Sequence, residues 1–218
     1  NNSTKISGTI DLFEPYNIIT FNNSILSIQD KTWTFEDNRK ISFNSKTTIF
    51  DSISIYNLDH RLTVTGKYSE GKTNGSLLMN QVDIADFSHF FTTIKLKGII
   101  DGDLHLGESN VDSKINIANF NVDTLYIGDI EGTTDWNSAA RQMNMDVSIL
   151  RKNSNVFNLT GFYIPESANK SEEMNLTARF TQTDISPLNA ISENIFTSIS
   201  GYATGYATIT GTLSEPIV

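Results

Sequence analysis

The 218-residue chain is 38% hydrophobic and 19% charged, enough apolar content for a core and too much for wholesale disorder. Its formal net charge of -9 and pI of about 4.7 exclude a sequence-independent grip on nucleic-acid phosphates. They equally exclude docking on an anionic lipid surface through a basic patch, and the absence of cysteine removes disulfides, thiolate catalysis and Cys-type zinc sites.

No stretch approaches the ~18 apolar residues of a membrane span, and none reads as a signal peptide. The chain opens Asn1-Asn2-Ser3 without an initiator Met and is expected to be a piece of a longer or processed protein. Period-2 alternation then dominates. Trp33-Phe35, Ile41-Phe43, Ile53-Ile55 and Leu62-Val64 each put apolar residues on one face and Asn, Thr, Ser or Asp on the other. Phe87, Phe90, Phe91 and Ile94 have helical spacing after a cap at Asp86, which predicts a short helix. A glycine-spaced strand follows, with Gly98, Ile100, Gly102, Leu104 and Leu106 on one face. Ile115-Ile117 and Leu125-Ile127 alternate again. The strongest run has Met143, Met145, Val147 and Ile149 on one face, followed by Phe157, Leu159, Gly161 and Tyr163, then Met174, Leu176, Ala178 and Phe180. Leu188, Ile191 and Ile195, with Ser186 to cap and Pro187 at the first helical position, predict a second short helix. The last strand carries Gly201, Ala203, Gly205, Ala207, Ile209, Gly211 and Leu213 on one face. Turns are expected at Asp37-Asn38, Glu70-Gly71, Asn74-Gly75, 107–110 and 153–155.

The elements repeat. "RLTVTGKY" (61–68) matches "VFNLTGFY" (156–163), Asp83-Ile84 matches Asp184-Ile185, and Gly98 and Gly102 match Gly201 and Gly205, in the same order. The unit is about 100 residues, with roughly 61–110 and 156–218 matching, and the chain 1–218 reads as one continuous β fragment built by repetition. Both copies place glycine on the apolar side, where it permits curvature or close backbone approach.

Little else reads as a chemical site. His60, His89 and His105 are isolated, without metal-ligand spacing. Asp101-Gly102-Asp103 has no EF-type continuation, and its acids sit opposite Ile100 and Leu104 as an outer face would. Gly98-x-x-x-Gly102 lacks the third glycine of a dinucleotide loop, and no G-x-S-x-G elbow occurs. No cofactor and no metal are expected, and the chain is read as non-enzymatic. The apolar stripe is the candidate functional surface. It includes Leu62 and Val64; Gly98, Ile100, Gly102, Leu104 and Leu106; Met143, Met145, Val147 and Ile149; Phe157 and Leu159; Met174, Leu176 and Phe180; and Gly201, Ala203, Gly205, Ala207, Ile209 and Leu213. On pattern alone it reads first as the core of an ordinary closed β-sandwich. Trp33, Tyr68, Trp136 and Tyr163 are left to line the stripe or mark its rim.

"DISPL" (184–188) with "GYATGYATITGTLSEP" (201–216) resembles the C-terminal region of TamB, among the AsmA-like proteins of Gram-negative envelopes. Gly211-Thr212-Leu213-Ser214-Glu215-Pro216 fits the family's Gly-Thr-Leu-x-x-Pro ending, and "LSIQDKTWTFEDNRKISF" (26–43) is similar to its strand pair around a tryptophan, in an Asn/Thr-rich, Bacteroidetes-like style. After Gly107 the first copy lacks the Pro. The resemblance implies an all-β fold: an elongated, curved antiparallel sheet folded into an open groove (the β-taco type), with one or two short helices. It further implies a periplasmic segment of an inner-membrane-anchored protein that shields or conducts phospholipid acyl chains between the membranes. The implied partners are phospholipid, an outer-membrane assembly protein of the TamA or BamA type, and nascent outer-membrane β-barrel proteins, with no nucleic acid. Two other readings stand beside it: a chaperone-like strand edge, and an extracellular β-sandwich adhesin or carbohydrate-binding module.

Overall fold

In the computed structural model of the chain, residues 3–90, 94–107, 110–166, 171–186 and 198–218 are described. Among them the alternating runs become β-strands: β1 (Ser3–Lys5), β2 (Gly8–Leu12), β3 (Asn17–Phe21), β4 (Ile25–Ile28), β5 (Lys31–Phe35), β6 (Lys40–Phe43), β7 (Thr47–Asn57), β8 (His60–Ser69) and β9 (Lys72–Asp83). A five-residue helix, α1 (Ile84–Ser88), separates these from β10 (Leu96–Leu106), β11 (Val111–Val122), β12 (Leu125–Asn137), β13 (Gln142–Arg151), β14 (Ser154–Ile164), β15 (Glu173–Asp184), β16 (Tyr202–Gly211) and β17 (Pro216–Ile217). The fold is all-β and antiparallel, and it does not close into a barrel.

The chain groups into two units, Asn1–Lys95 with Ile99–Val111, and Leu96–Gly98 with Asp112–Val218. In the first, β2, β3, β6, β7, β8, β9 and β10 pair in that order. The β4–β5 hairpin pairs with β1 on one side and with the end of β7 on the other. In the second, β11 to β17 form a meander in chain order. Tight hairpins explain this topology. Glu70-Gly71 and Lys152-Asn153 both have two residues at positive φ, the backbone of a two-residue turn whose twist matches its strands.

Two expectations change. Asn74-Gly75 is not a turn but lies inside β9, where Gly75 faces Gly66 of β8. α1 begins earlier than its apolar spacing predicts: Asp83, not Asp86, caps it by accepting from the Ala85 N–H at 3.0 Å. Asp86 is instead fully buried and paired to Lys31 Nζ at 2.6 Å. The predicted second helix, at Pro187, Leu188, Ile191 and Ile195, and Phe91 of the first lie outside the described residues.

Bulges that no turn residue announces interrupt the strands. Ser52, Gln81, Asn119 and Gln182 all take positive φ at register shifts. Three of these bulges are held the same way. The Gln81 N–H donates to Asp101 Oδ1 (2.8 Å), the Asn119 N–H to Asp129 Oδ1 (2.7 Å) and the Gln182 N–H to Thr204 Oγ1 (3.0 Å). A side-chain oxygen from the next strand thus satisfies the amide that the ladder leaves out. Asp101, read from sequence as an outer-face acid, has this role.

Candidate functional site

Register converts the alternating pattern into a surface. In the second unit, Ile130 of β12 opposes Ile117 and Ile149, and Ile149 opposes Phe157, which opposes Phe180, which opposes Gly205. The next row runs Ile115, Gly132, Val147, Leu159, Ala178 and Ala207, and the one after it Thr134, Met145, Gly161, Leu176 and Ile209. A last row joins Trp136, Met143, Tyr163, Met174 and Gly211. The sequence candidates Met143, Met145, Val147, Ile149, Phe157, Leu159, Met174, Leu176, Phe180, Gly205, Ala207 and Ile209 therefore meet on one face across β13–β16. Met143, Met145, Val147, Ile149, Phe157 and Leu159 are only half-buried, whereas Met174, Leu176 and Ala178 on β15 are buried. The reverse face is polar: Lys114, Thr133, Asp146, Thr160, Thr177 and Thr208 form one of its rows.

Glycine on this face has two different causes. At Gly161 (φ +146°) a Cβ would lie 2.8 Å from Leu176 Cα and closer still to the Asn175 carbonyl oxygen, so β15 approaches a bare backbone. At Gly205 (φ +153°) a Cβ would meet nothing within 4 Å, so the glycine leaves open space.

The face ends in an apolar cavity of about 160 Å³ lined by Ile127, Ile149, Val156, Phe157, Phe180, Thr183, Ile185 and the pair Arg151–Asp184. The Phe157 and Phe180 rings meet edge-on, 5.3 Å between centroids. Arg151 is held at three points: Nε donates to the Ile127 carbonyl, one terminal nitrogen to the Tyr126 carbonyl and the other to Asp184 at 3.2 Å. Donation from the Ser186 hydroxyl and N–H, with Arg151 adding to it, holds the Asp184 carboxyl below the usual carboxylate range. At the opposite end Tyr163 donates to Glu172 Oε1 at 2.8 Å, and this bond raises the phenol's pKa.

In the first unit the same faces pair Leu62 with Ile55 and Met79, and Val64 with Ile53 and Leu77. Gly102 opposes Met79, Leu104 opposes Leu77 and Leu106 opposes Gly75. Part of this face is closed. Ile28, Trp33 and Val82 form a buried cluster against which Leu62, Ile100, Ile55, Met79 and Phe87 pack. Leu62 and Ile100 therefore belong to a core at that point, not to an open wall. Trp33 is 0% exposed, with Phe87 edge-on at 5.0 Å, so it neither lines an open face nor marks a rim. Burial works to lower the Lys31 pKa, but bonds to Asp86 and Asp83 outweigh it and raise it.

Three candidates sit apart from the face. Gly98 is buried at the start of β10 beside Ile117. Gly201 precedes β16 and is exposed. Leu213 follows β16 and is 64% exposed, clear of the ladder. Ala203 opposes Thr183 beyond the bulge. Sequence reading passed over Ile130, Leu77 and Met79, although each continues an alternating run. Among the described residues no group of three or more His, Asp or Glu is placed to hold a metal ion. Compared with known proteins, the chain matches no family model, no curated protein and no solved structure.

Proposed function

We propose that this chain is a non-enzymatic segment of a TamB-like envelope protein, whose apolar face shields phospholipid acyl chains in transit between inner and outer membrane. One observation carries the reading. The face is continuous over β12–β16, yet its central side chains, Met145, Val147 and Leu159, are only partly buried. Each buried CH₂ of a hydrocarbon tail on such a wall is worth ~0.8 kcal/mol, and a uniform wall holds a chain without a deep trap. Met143 and Met145 suit it, since unbranched thioethers adapt to a moving tail. The reading places the segment in the periplasm of a Gram-negative cell. The parent would be anchored in the inner membrane and meet an outer-membrane assembly protein of the TamA or BamA type. A role toward nascent β-barrel proteins belongs to the same proposal. A photo-activatable residue at Val147 or Ala207, irradiated in the envelope, should crosslink to phospholipid. Crosslinks to protein alone would defeat the conduit reading.

A further inference from the structure

We propose that α1 is a strap that opens as a unit from the core of the first unit, with Lys31 as its catch. α1 follows β9 directly, and its Phe87 meets Trp33 edge-on at 5.0 Å. Phe87 packs against the buried Ile28, Trp33 and Val82 cluster, as Ile55, Leu62 and Met79 do. A helix of five residues has little stability of its own, so its contacts hold it in place. The polar part of that hold converges on one side chain. Lys31 Nζ reaches Asp86 Oδ1 at 2.6 Å and Asp83 Oδ2 at 3.1 Å, and the other oxygen of Asp83 caps the helix through the Ala85 N–H. Lys31 is 41% exposed, so water reaches the catch from outside. Gln29, from the same β4–β5 turn, adds an exposed bond to His89 at 3.0 Å.

The closed position leaves polar groups short. Asp86 is 1% exposed and Trp33 0%, yet Asp86 Oδ2 and Trp33 Nε1 have no hydrogen-bond partner among the described residues. A buried polar atom without a partner forfeits its bond to water and regains that bond when the cover lifts. Lys31 and Trp33 lie two residues apart on β5, on one face of the strand, and Asp86 and Phe87 are neighbours on α1. The catch and the apolar contact therefore meet and part together. Packing and one shared lysine favour closure, and two unmet polar atoms oppose it, a balance that local opening relieves without unpairing the sheet. Once open, α1 bares the Trp33 cluster beside the face that carries Val64, Leu77 and Leu104. Opening is a property of the chain itself and requires no lipid.

The test is hydrogen exchange of the purified 218-residue chain, read by mass spectrometry on peptides covering 83–90 and on peptides from β7, β8 and β9. In the unaltered chain 83–90 should exchange faster than β7–β9, and with little dependence on dilute urea, because lifting α1 exposes little surface. Lys31→Met keeps the methylenes but strands the Asp86 carboxylate. Exchange at 83–90 should then rise about a hundredfold or more while β7–β9 keep their protection. Adding Asp86→Leu removes the stranded charge and should restore slow exchange. Trp33 is followed separately in a Trp136→Phe chain, where it is the only tryptophan. Acrylamide should quench its fluorescence more strongly once Lys31→Met is added. Exchange at 83–90 that keeps pace with β7–β9 in the unaltered chain would overturn the proposal, since α1 would then be a fixed part of the core. So would unchanged Trp33 quenching in Lys31→Met, loss of protection in β7–β9 together with α1, or a double variant as open as Lys31→Met. None of these outcomes bears on the lipid crosslink at Val147, and that crosslink does not bear on them.

Discussion

Val147→Arg separates an open wall from a closed core. Val147 sits mid-face, between Gly132 and Leu159 in register, and is half-buried. Full burial of a valine is worth ~1.5–3 kcal/mol, so losing the partial burial of Val147 costs about 1–2 kcal/mol. An arginine on a half-exposed face keeps its guanidinium in water and lays its methylenes on Met145 and Ile149, so little is added. The sum is about 1–2 kcal/mol. At roughly 2–4 °C per kcal/mol for a chain of this size, the midpoint of a far-UV circular dichroism melt should fall by about 2–8 °C, with the native spectrum retained. Trp33→Ala is the contrast. Trp33 is fully buried, and deleting a large core aromatic costs ~3–5 kcal/mol. Were Val147 covered by a second layer, the arginine would be an unpaired buried charge costing several kcal/mol, and the variant would lose its fold. A Val147→Arg chain that melts earlier than Trp33→Ala, or never acquires the native spectrum, refutes the open-face reasoning.

Two further variants test finer claims. Gly161→Ala should cost more than about 2 kcal/mol, since positive φ and the approach of β15 both oppose a Cβ, whereas Gly205→Ala should cost about 1 kcal/mol for its backbone alone. Equal shifts in urea midpoint would show that the two glycines do not differ as described. Asp184 has a depressed folded pKa, so its stabilising effect is complete above the ordinary carboxylate value of ~3.9 and is lost as pH falls through the lower folded value. Asp184→Asn should flatten the loss of stability below about pH 4; superimposable profiles for the two proteins would count against the Asp184 account.

Alternation located β15 because Glu173, Asn175 and Arg179 face water while Met174, Leu176 and Ala178 are buried, and on β13 and β14 the register carries the same apolar rows onward. Asn74-Gly75 misled because the dipeptide usually turns a chain. Here Gly75 lets β9 lie against Gly66, where a Cβ would come within 2.8 Å of Gly75 Cα. The bulges at Gln81 and Gln182 were invisible because what fixes them, Asp101 and Thr204, sits on a different strand in each case. One readable signal was missed. Gly8-Thr9-Ile10, followed by Glu14-Pro15, parallels Gly211-Thr212-Leu213 with Glu215-Pro216 in sequence, and each stretch runs through a reversal, β2 into β3 and β16 into β17, though Gly8–Ile10 lie within β2 whereas Thr212 and Leu213 follow β16. Two extra residues in the first hid the likeness.

The repeat preserves an anchor and varies what fills the space next to it. Asp83 and Asp184 each accept from the amide two residues on, at 3.0 Å, and each is paired with a cation from elsewhere in its own unit, Lys31 or Arg151. Beside these anchors, register makes Ile55, Leu62 and Met79 the counterparts of Ile149, Phe157 and Phe180. In the first unit that trio is packed under Trp33 and Phe87. In the second it lines the cavity of about 160 Å³. The same backbone plan therefore yields a sealed aromatic core in one unit and, among the described residues, an apolar recess in the other. Small residues alone do not explain the difference. Gly161 brings strands together whereas Gly205 leaves space, so recurring glycine does not by itself open a surface.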